Sequence, residues 1–95
     1  MAKFWVKYAG GSTTINDSYN VASVSYDGTG DHTVTIATDF DSAHWCATIA
    51  ARTAGAARDY RVETMAEGSL RVLVSDGSSA ENSTYECIAG FGTQV

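Results

Sequence analysis

The sequence predicts an all-β chain: one small antiparallel β-sandwich or barrel-like domain of about seven strands. Three observations carry this. Several short runs alternate apolar and polar residues with period two. Turn-forming Gly, Asp, Asn and Ser punctuate those runs every 8 to 12 residues or so. The length, 95 residues, suits a single domain over 1–95.

The first run is Lys3 to Tyr8, in which Phe4, Val6 and Tyr8 share one face and Trp5 stands on the other between Lys3 and Lys7. Gly10-Gly11 ends it. Asn16, Asp17 and Ser18 read as a polar connection. From Asn20 to Tyr26 the chain alternates again, with Ala22, Val24 and Tyr26 on one side and Val21, Ser23 and Ser25 on the other. Asp27-Gly28-Thr29-Gly30-Asp31 is the best hairpin signal, because Gly supplies positive φ and Asp can bond its own backbone. The return strand puts Val34, Ile36 and Phe40 toward the core and Thr33 and Thr35 toward solvent.

Residues 42 to 55 support two readings. Ala43, Cys46, Ala47, Ala50, Ala51 and Ala54 recur at helical spacing, with Ser42 as an N-cap and Gly55 as a C-terminal stop. With period two, Trp45, Ala47, Ile49 and Ala51 line one face instead, and Thr53 to Ala57 connect onward. The strand is preferred, because its neighbours are strands and a short isolated helix is marginal in water. Beyond it, Tyr60, Val62 and Thr64 alternate with Arg61, Glu63 and Met65. Glu67-Gly68-Ser69 turns the chain into Leu70, Val72 and Val74, a second hairpin. Asp76 to Ser83 reads as a loop, and Tyr85, Cys87, Ala89 and Phe91 form one face of a last strand.

Eleven acidic residues against six basic ones give a net charge of -5, which lacks the cationic footprint that nucleic acid or an anionic membrane requires. No apolar run approaches the roughly 18 to 20 residues of a membrane span, and Met1 to Tyr8 contain no secretory apolar region. The chain therefore reads as a soluble, uncleaved, complete product. At this size a domain often gains stability from a partner subunit, so an oligomer is expected. Cys46 and Cys87 do not have metal-knuckle spacing and read as small buried hydrophobes on opposite strand parities rather than as a disulfide.

No catalytic constellation stands out. His32 and His44 lack a nucleophile-elbow pattern nearby, and Asp27 with Asp31, or Asp39 with Asp41, are explained by turn chemistry. A Ca²⁺ site there would lack the EF-hand ligand ladder. Gly28-Thr29-Gly30 has Thr33 where a dinucleotide fingerprint needs glycine. Asn16-Asp17-Ser18 and Asn82-Ser83-Thr84 match the glycosylation sequon but mean nothing without secretion. The chain is thus expected to be no enzyme and to need no cofactor or metal.

Aromatic residues remain, at 11% of the sequence. Phe4, Trp45 and Phe91 are expected in the core, although Trp45 is also a candidate contact residue. Trp5 is opposite in parity to the core residues of its strand and calls for a partner. Lys3, Trp5, Lys7, Tyr19, Trp45, Tyr60 and Tyr85 form the set of interface candidates.

The block Ser18-Tyr19-Asn20-Val21-Ala22-Ser23-Val24, continuing through Asp27-Gly28-Thr29-Gly30-Asp31-His32-Thr33-Val34-Thr35-Ile36, resembles small β domains of tailed-bacteriophage virion proteins, many of them associated with tail fibres. Phe4-Trp5-Val6, Ala43-His44-Trp45 and Phe91-Gly92 sit where those domains carry similar short patterns. His32, Trp45 and the Ala-rich 50 to 57 region depart from the pattern. The resemblance implies a non-enzymatic, surface-displayed, often trimeric virion module, with major capsid or tail proteins as partners. A tail fibre adds a shaft and an attachment domain, and this chain shows neither. A self-standing module of this kind fits a capsid decoration or cement protein, with a glycan-binding tail adhesin as the alternative.

Overall fold

The computed structural model describes residues 1–52 and 58–94. Eight strands follow one another: β1 (Phe4–Ala9), β2 (Ile15–Tyr19), β3 (Val21–Gly28), β4 (Asp31–Ile36), β5 (Cys46–Arg52), β6 (Asp59–Met65), β7 (Ser69–Ser75) and β8 (Tyr85–Phe91). They form two separate antiparallel sheets, β2-β1-β8-β5 (sheet A) and β3-β4-β7-β6 (sheet B). The fold is all-β and sandwich-like, and the barrel-like alternative is set aside because neither sheet closes onto the other.

Period-two alternation places the core where expected along the central strands. Phe4, Val6 and Tyr8 from β1 and Ile88 from β8 meet Val34 and Ile36 from β4 and Leu70, Val72 and Val74 from β7, all essentially without solvent contact. Removing each such side chain from water is worth about 1.5–3 kcal/mol. Phe40 and Trp45 close one end of the sandwich. Their rings stack with centroids 4.5 Å apart, and the Phe4 ring meets Trp45 edge-on at 5.6 Å. The indole Nε1–H donates to the Ala66 carbonyl at 2.9 Å, so the polar atom of Trp45 is satisfied inside.

The chain passes from sheet A to sheet B at one residue. Asn20 lies between β2 and β3 with φ 58°, a left-handed conformation that Asn tolerates better than most residues. Its side chain then ties the sheets together. Nδ2 donates to the Lys3 carbonyl at 3.0 Å, and Oδ1 accepts from the Thr38 N–H at 2.9 Å. The hairpin between β3 and β4 turns at Thr29-Gly30. Gly30 has φ 65°, and a Cβ there would run into the backbone carbonyl of Val74.

Several sequence expectations need correction. Ile15–Tyr19 is a strand rather than a connection, which makes eight strands. It was hidden because β2 is a short polar edge on which Ile15 alone packs against the core. In β3 the register with β4 shifts between Val21 and Ser23, so Val21 and Val24 both pack on the core while Ala22 is turned to solvent; Tyr26, paired opposite buried His32, shares the side of Val24 but is 43% exposed on this edge strand. A similar shift in β6 between Val62 and Thr64 lets Tyr60 and Met65 both pack inward; Val62, opposite buried Val72, shares the side of Tyr60 but is 38% exposed on this edge strand. A bulge adds one residue to one strand and so reverses the side-chain parity beyond it. Residues 46–52 are strand, as preferred over helix, whereas Thr53 to Ala57, including Ala54 and Gly55, lie outside the described residues.

In β8 the core face is Glu86, Ile88 and Gly90, so Tyr85, Cys87, Ala89 and Phe91 form the outer face. Phe91 is 39% exposed rather than buried. The reason is Gly90: the Phe4 ring lies where its Cβ would be, and this takes the space a core side chain would need. Cys46 and Cys87 are free thiols, exposed rather than buried, and they share the outer face of sheet A.

Candidate functional site

Sheet A buries one face and leaves the other open, and alternation decides which side chains it displays. Register aligns them in rows across the strands. Tyr19 of β2, Trp5 of β1, Ala89 of β8 and Thr48 of β5 form one row, and Asp17, Lys7, Cys87 and Ala50 form the next. Cys46 pairs with Phe91 at the end of β8. Trp5 is 40% exposed and Tyr19 57%. Because Ala50, Cys87 and Ala89 are small, the sheet surface dips beside the indole. The result is a shallow hollow of about 300 Å³ bounded by Trp5, Lys7, Thr48, Ala50, Cys87 and Ala89. The Lys7 ammonium lies 4.8 Å from the centroid of the Tyr85 ring, a cation–π contact that holds the lysine over the surface.

Five of the seven predicted interface residues thus share one neighbourhood. Trp5, Lys7, Tyr19 and Tyr85 belong to this face, and Lys3 is half-buried at the start of β1, where its N–H donates to the Gly90 carbonyl at 2.8 Å. Two do not join them. Trp45 is 6% exposed and belongs to the core, so it is withdrawn as a contact residue. Tyr60 sits on the other sheet and packs against the core from β6. Exposed Phe91 and the two thiols are members of the face that sequence reasoning placed inside.

Tyr60 borders a second concavity of about 540 Å³. It lies between the Thr29–Asp31 turn, the start of β6, the end of β7 and residues 75–80. Its lining mixes polar side chains with apolar ones. Asp31 receives both Nε and Nη2 of Arg71, at 2.9 and 2.7 Å, and those charge-assisted bonds hold its carboxyl below the usual carboxylate range. Asp76 is likewise lowered, by accepting the backbone N–H groups of Ser78 and Ser79 at 3.0 and 2.9 Å. Asp27 accepts from the Ser25 and Thr33 hydroxyls, and the Asp39 side chain lies against Gly68. Asn82, from a discounted sequon, accepts from the Gly30 N–H at 2.8 Å and so pins the hairpin turn.

The interior holds a polar cluster that sequence reasoning missed. His32, Tyr8 and Glu86 have no solvent exposure, and His32 Nδ1 lies 2.9 Å from Glu86 Oε2 and 3.2 Å from the Tyr8 hydroxyl. The Tyr8 and His32 rings meet edge-on at 5.4 Å, and Tyr26 covers the imidazole from outside at 5.7 Å. Burial, and then the neighbouring Glu86 carboxyl, push the Tyr8 phenol far above its ordinary value. Strand parity carries a clue to the cluster, since Glu86 shares a face with Ile88 and His32 with Val34. His44 is exposed on the connection before β5.

The chain matches no protein-family model, and no curated protein or solved structure matches it at a significant level.

Proposed function

We propose that this chain is a non-enzymatic bacteriophage virion structural protein, a small oligomeric decoration or cement module on the capsid surface. The single observation that favours a contact role is the outer face of sheet A. It aligns Trp5 and Tyr19 in one row, floors the space beside them with small residues, and sets Lys7 at the edge. A planar, partly apolar surface with a tethered cation suits a protein partner with an apolar centre and an acidic rim. The virion assignment rests on the resemblance carried by 18–36, within which Asn20 and Gly30 occupy positions that the fold needs. The homotrimer belongs to the same proposal, as a unit that a twofold contact between two trimers doubles to six chains.

A second reading, a tail adhesin that binds host-surface glycans, draws on the cleft beside Tyr60. An aromatic ring among Asp59, Asp31, Thr29 and Ser78 is chemistry that sugars use, with C–H groups on the ring and hydroxyls on the polar side chains.

Electron microscopy of intact particles carrying the tagged chain tests the choice. Label spread over the head supports decoration, and Trp5→Ala or Lys7→Glu then strips the label while the chain stays folded. Label confined to the tail overturns decoration in favour of the adhesin.

A further inference from the structure

Each sheet of the sandwich ends in two edge strands, and an edge strand offers unpaired N–H and C=O groups to any other chain. Proteins normally blunt such edges with charge, bulges or short length. Three of the four edges here are blunted. β2 has five residues with Asp17 inside it, and its register with β1 breaks between Lys7 and Tyr8. β3 carries two register breaks and Asp27. β6 carries one break, together with Asp59, Arg61 and Glu63.

β5 has no register break, and its one charge, Arg52, is at its last residue. It spans seven residues in unbroken one-to-one register with β8, from Cys46↔Phe91 to Arg52↔Tyr85. Residues 46–51, Cys-Ala-Thr-Ile-Ala-Ala, contain no charge and no proline. Among the described residues, none of the backbone hydrogen bonds that tie loops to strands reaches β5. The side chains of Cys46, Thr48 and Ala50 are exposed and small, so nothing bulky stands over the edge.

We propose that β5 pairs antiparallel with β5 of a second copy, across a twofold axis at Ile49, joining two A sheets into one eight-stranded sheet. The occupant follows from the strand's own pattern. Pairing about Ile49 sets Ile49 opposite Ile49, Thr48 opposite Ala50, and Ala47 opposite Ala51. Opposed residues in an antiparallel pair share a face, so the half-buried 47, 49 and 51 stay on the core side in both copies and 46, 48 and 50 stay outside. Among 47–51 no charge meets a like charge. A head-to-tail contact would have to use one of the three blunted edges, whereas the twofold contact uses β5 twice and closes. The pairing also makes the two Trp5 faces continuous.

Light scattering on the intact chain, together with amide hydrogen exchange, tests this. The expected mass is an even multiple of the 10.0 kDa chain, with β5 amides becoming more protected as concentration rises. T48K/A50K puts like charges opposite each other twice at exposed positions. It should keep the fold by circular dichroism, halve the mass and weaken association by about tenfold or more. T48K/A50E sets opposite charges across the same axis and should restore the wild-type mass. A monomeric wild type, an odd-numbered assembly, or an oligomer whose mass T48K/A50K leaves unchanged would overturn the proposal, as would β5 amides that exchange freely in the oligomer.

Discussion

Glu86→Leu probes the interior cluster most directly. Glu86 has no solvent exposure, and its Oε2 lies 2.9 Å from His32 Nδ1. Leucine fills much of the same volume on the core face of β8, so the main loss is the acceptor, not packing. A buried donor left without its partner costs about 1–3 kcal/mol, and breaking a buried ionised pair costs about 3–5 kcal/mol. An expected loss of about 3 kcal/mol corresponds to a fall in Tm of about 12–24 °C for a domain of this size. His32→Leu should cost a similar amount, because it strands Glu86 and also removes the ring that Tyr26 covers. The double variant His32→Leu/Glu86→Leu removes both polar groups, so it should be no less stable than either single variant. Thermal and urea unfolding of the four proteins give this cycle. Costs that add in the double variant, or a Glu86→Leu protein within about 0.5 kcal/mol of wild type, would refute the reasoning.

Other outcomes follow from the same geometry. The Tyr8 phenol is raised above its ordinary value of 10.0 in the folded chain, so the unfolded chain loses that proton first as pH rises. The stability it supports is complete below pH 10 and declines above it, by up to about 1.4 kcal/mol per pH unit. Urea midpoints between pH 9 and 11.5 should show that decline, and Tyr8→Phe should flatten it. Asn20→Ala forces alanine into a left-handed conformation and removes the links to Lys3 and Thr38, for a loss of about 2–4 kcal/mol. Asn20→Gly keeps the conformation and should lose about half as much, which equilibrium unfolding will separate. Gly90→Ala drives a methyl group into the Phe4 ring and should cost about 1–3 kcal/mol by denaturant unfolding; combining it with Phe4→Leu should cost less than the sum. Trp5→Ala, at a partly exposed site, should lower stability by only about 1 kcal/mol or less while abolishing co-sedimentation with particles.

Period-two alternation made the central strands legible, because a strand buried on one face repeats its pattern without interruption. β1, β4 and β7 follow it residue by residue. It failed where physics other than burial set the course. Bulges in β3 and β6 brought Val21 and Met65 onto the core face against simple alternation, and a bulge leaves no mark in a single sequence. In β8 the pattern inverted: the larger apolar residues Tyr85 and Phe91 lie outside because Gly90 makes room for Phe4, while a glutamate occupies the core. β2 had too little apolar content to register as a strand at all. Of the candidate site, Trp5 was found by its wrong parity, Lys3 and Lys7 as its neighbours, and Tyr19 and Tyr85 as aromatics. Phe91 and the thiols were placed inside because residue type was given more weight than parity. Trp45 was the reverse case, a buried residue whose size also suggested a contact.

The middle of sheet A joins the first of the eight strands to the last, with Phe4 opposite Gly90 and Ala9 opposite Tyr85. Sheet B has all its strands once residue 75 is made. Sheet A does not, since until β8 emerges β1 is paired only with β2, and β5 has no neighbour. Pairing so distant in sequence is slow, because the closure entropy is spent before the contacts form. During synthesis one edge of β1 and both edges of β5 therefore wait unpaired while sheet B is already complete. Chains that stop before Tyr85 would be left in that state, with a strand charged only at Arg52 free to pair with its like, and would aggregate where the full chain folds.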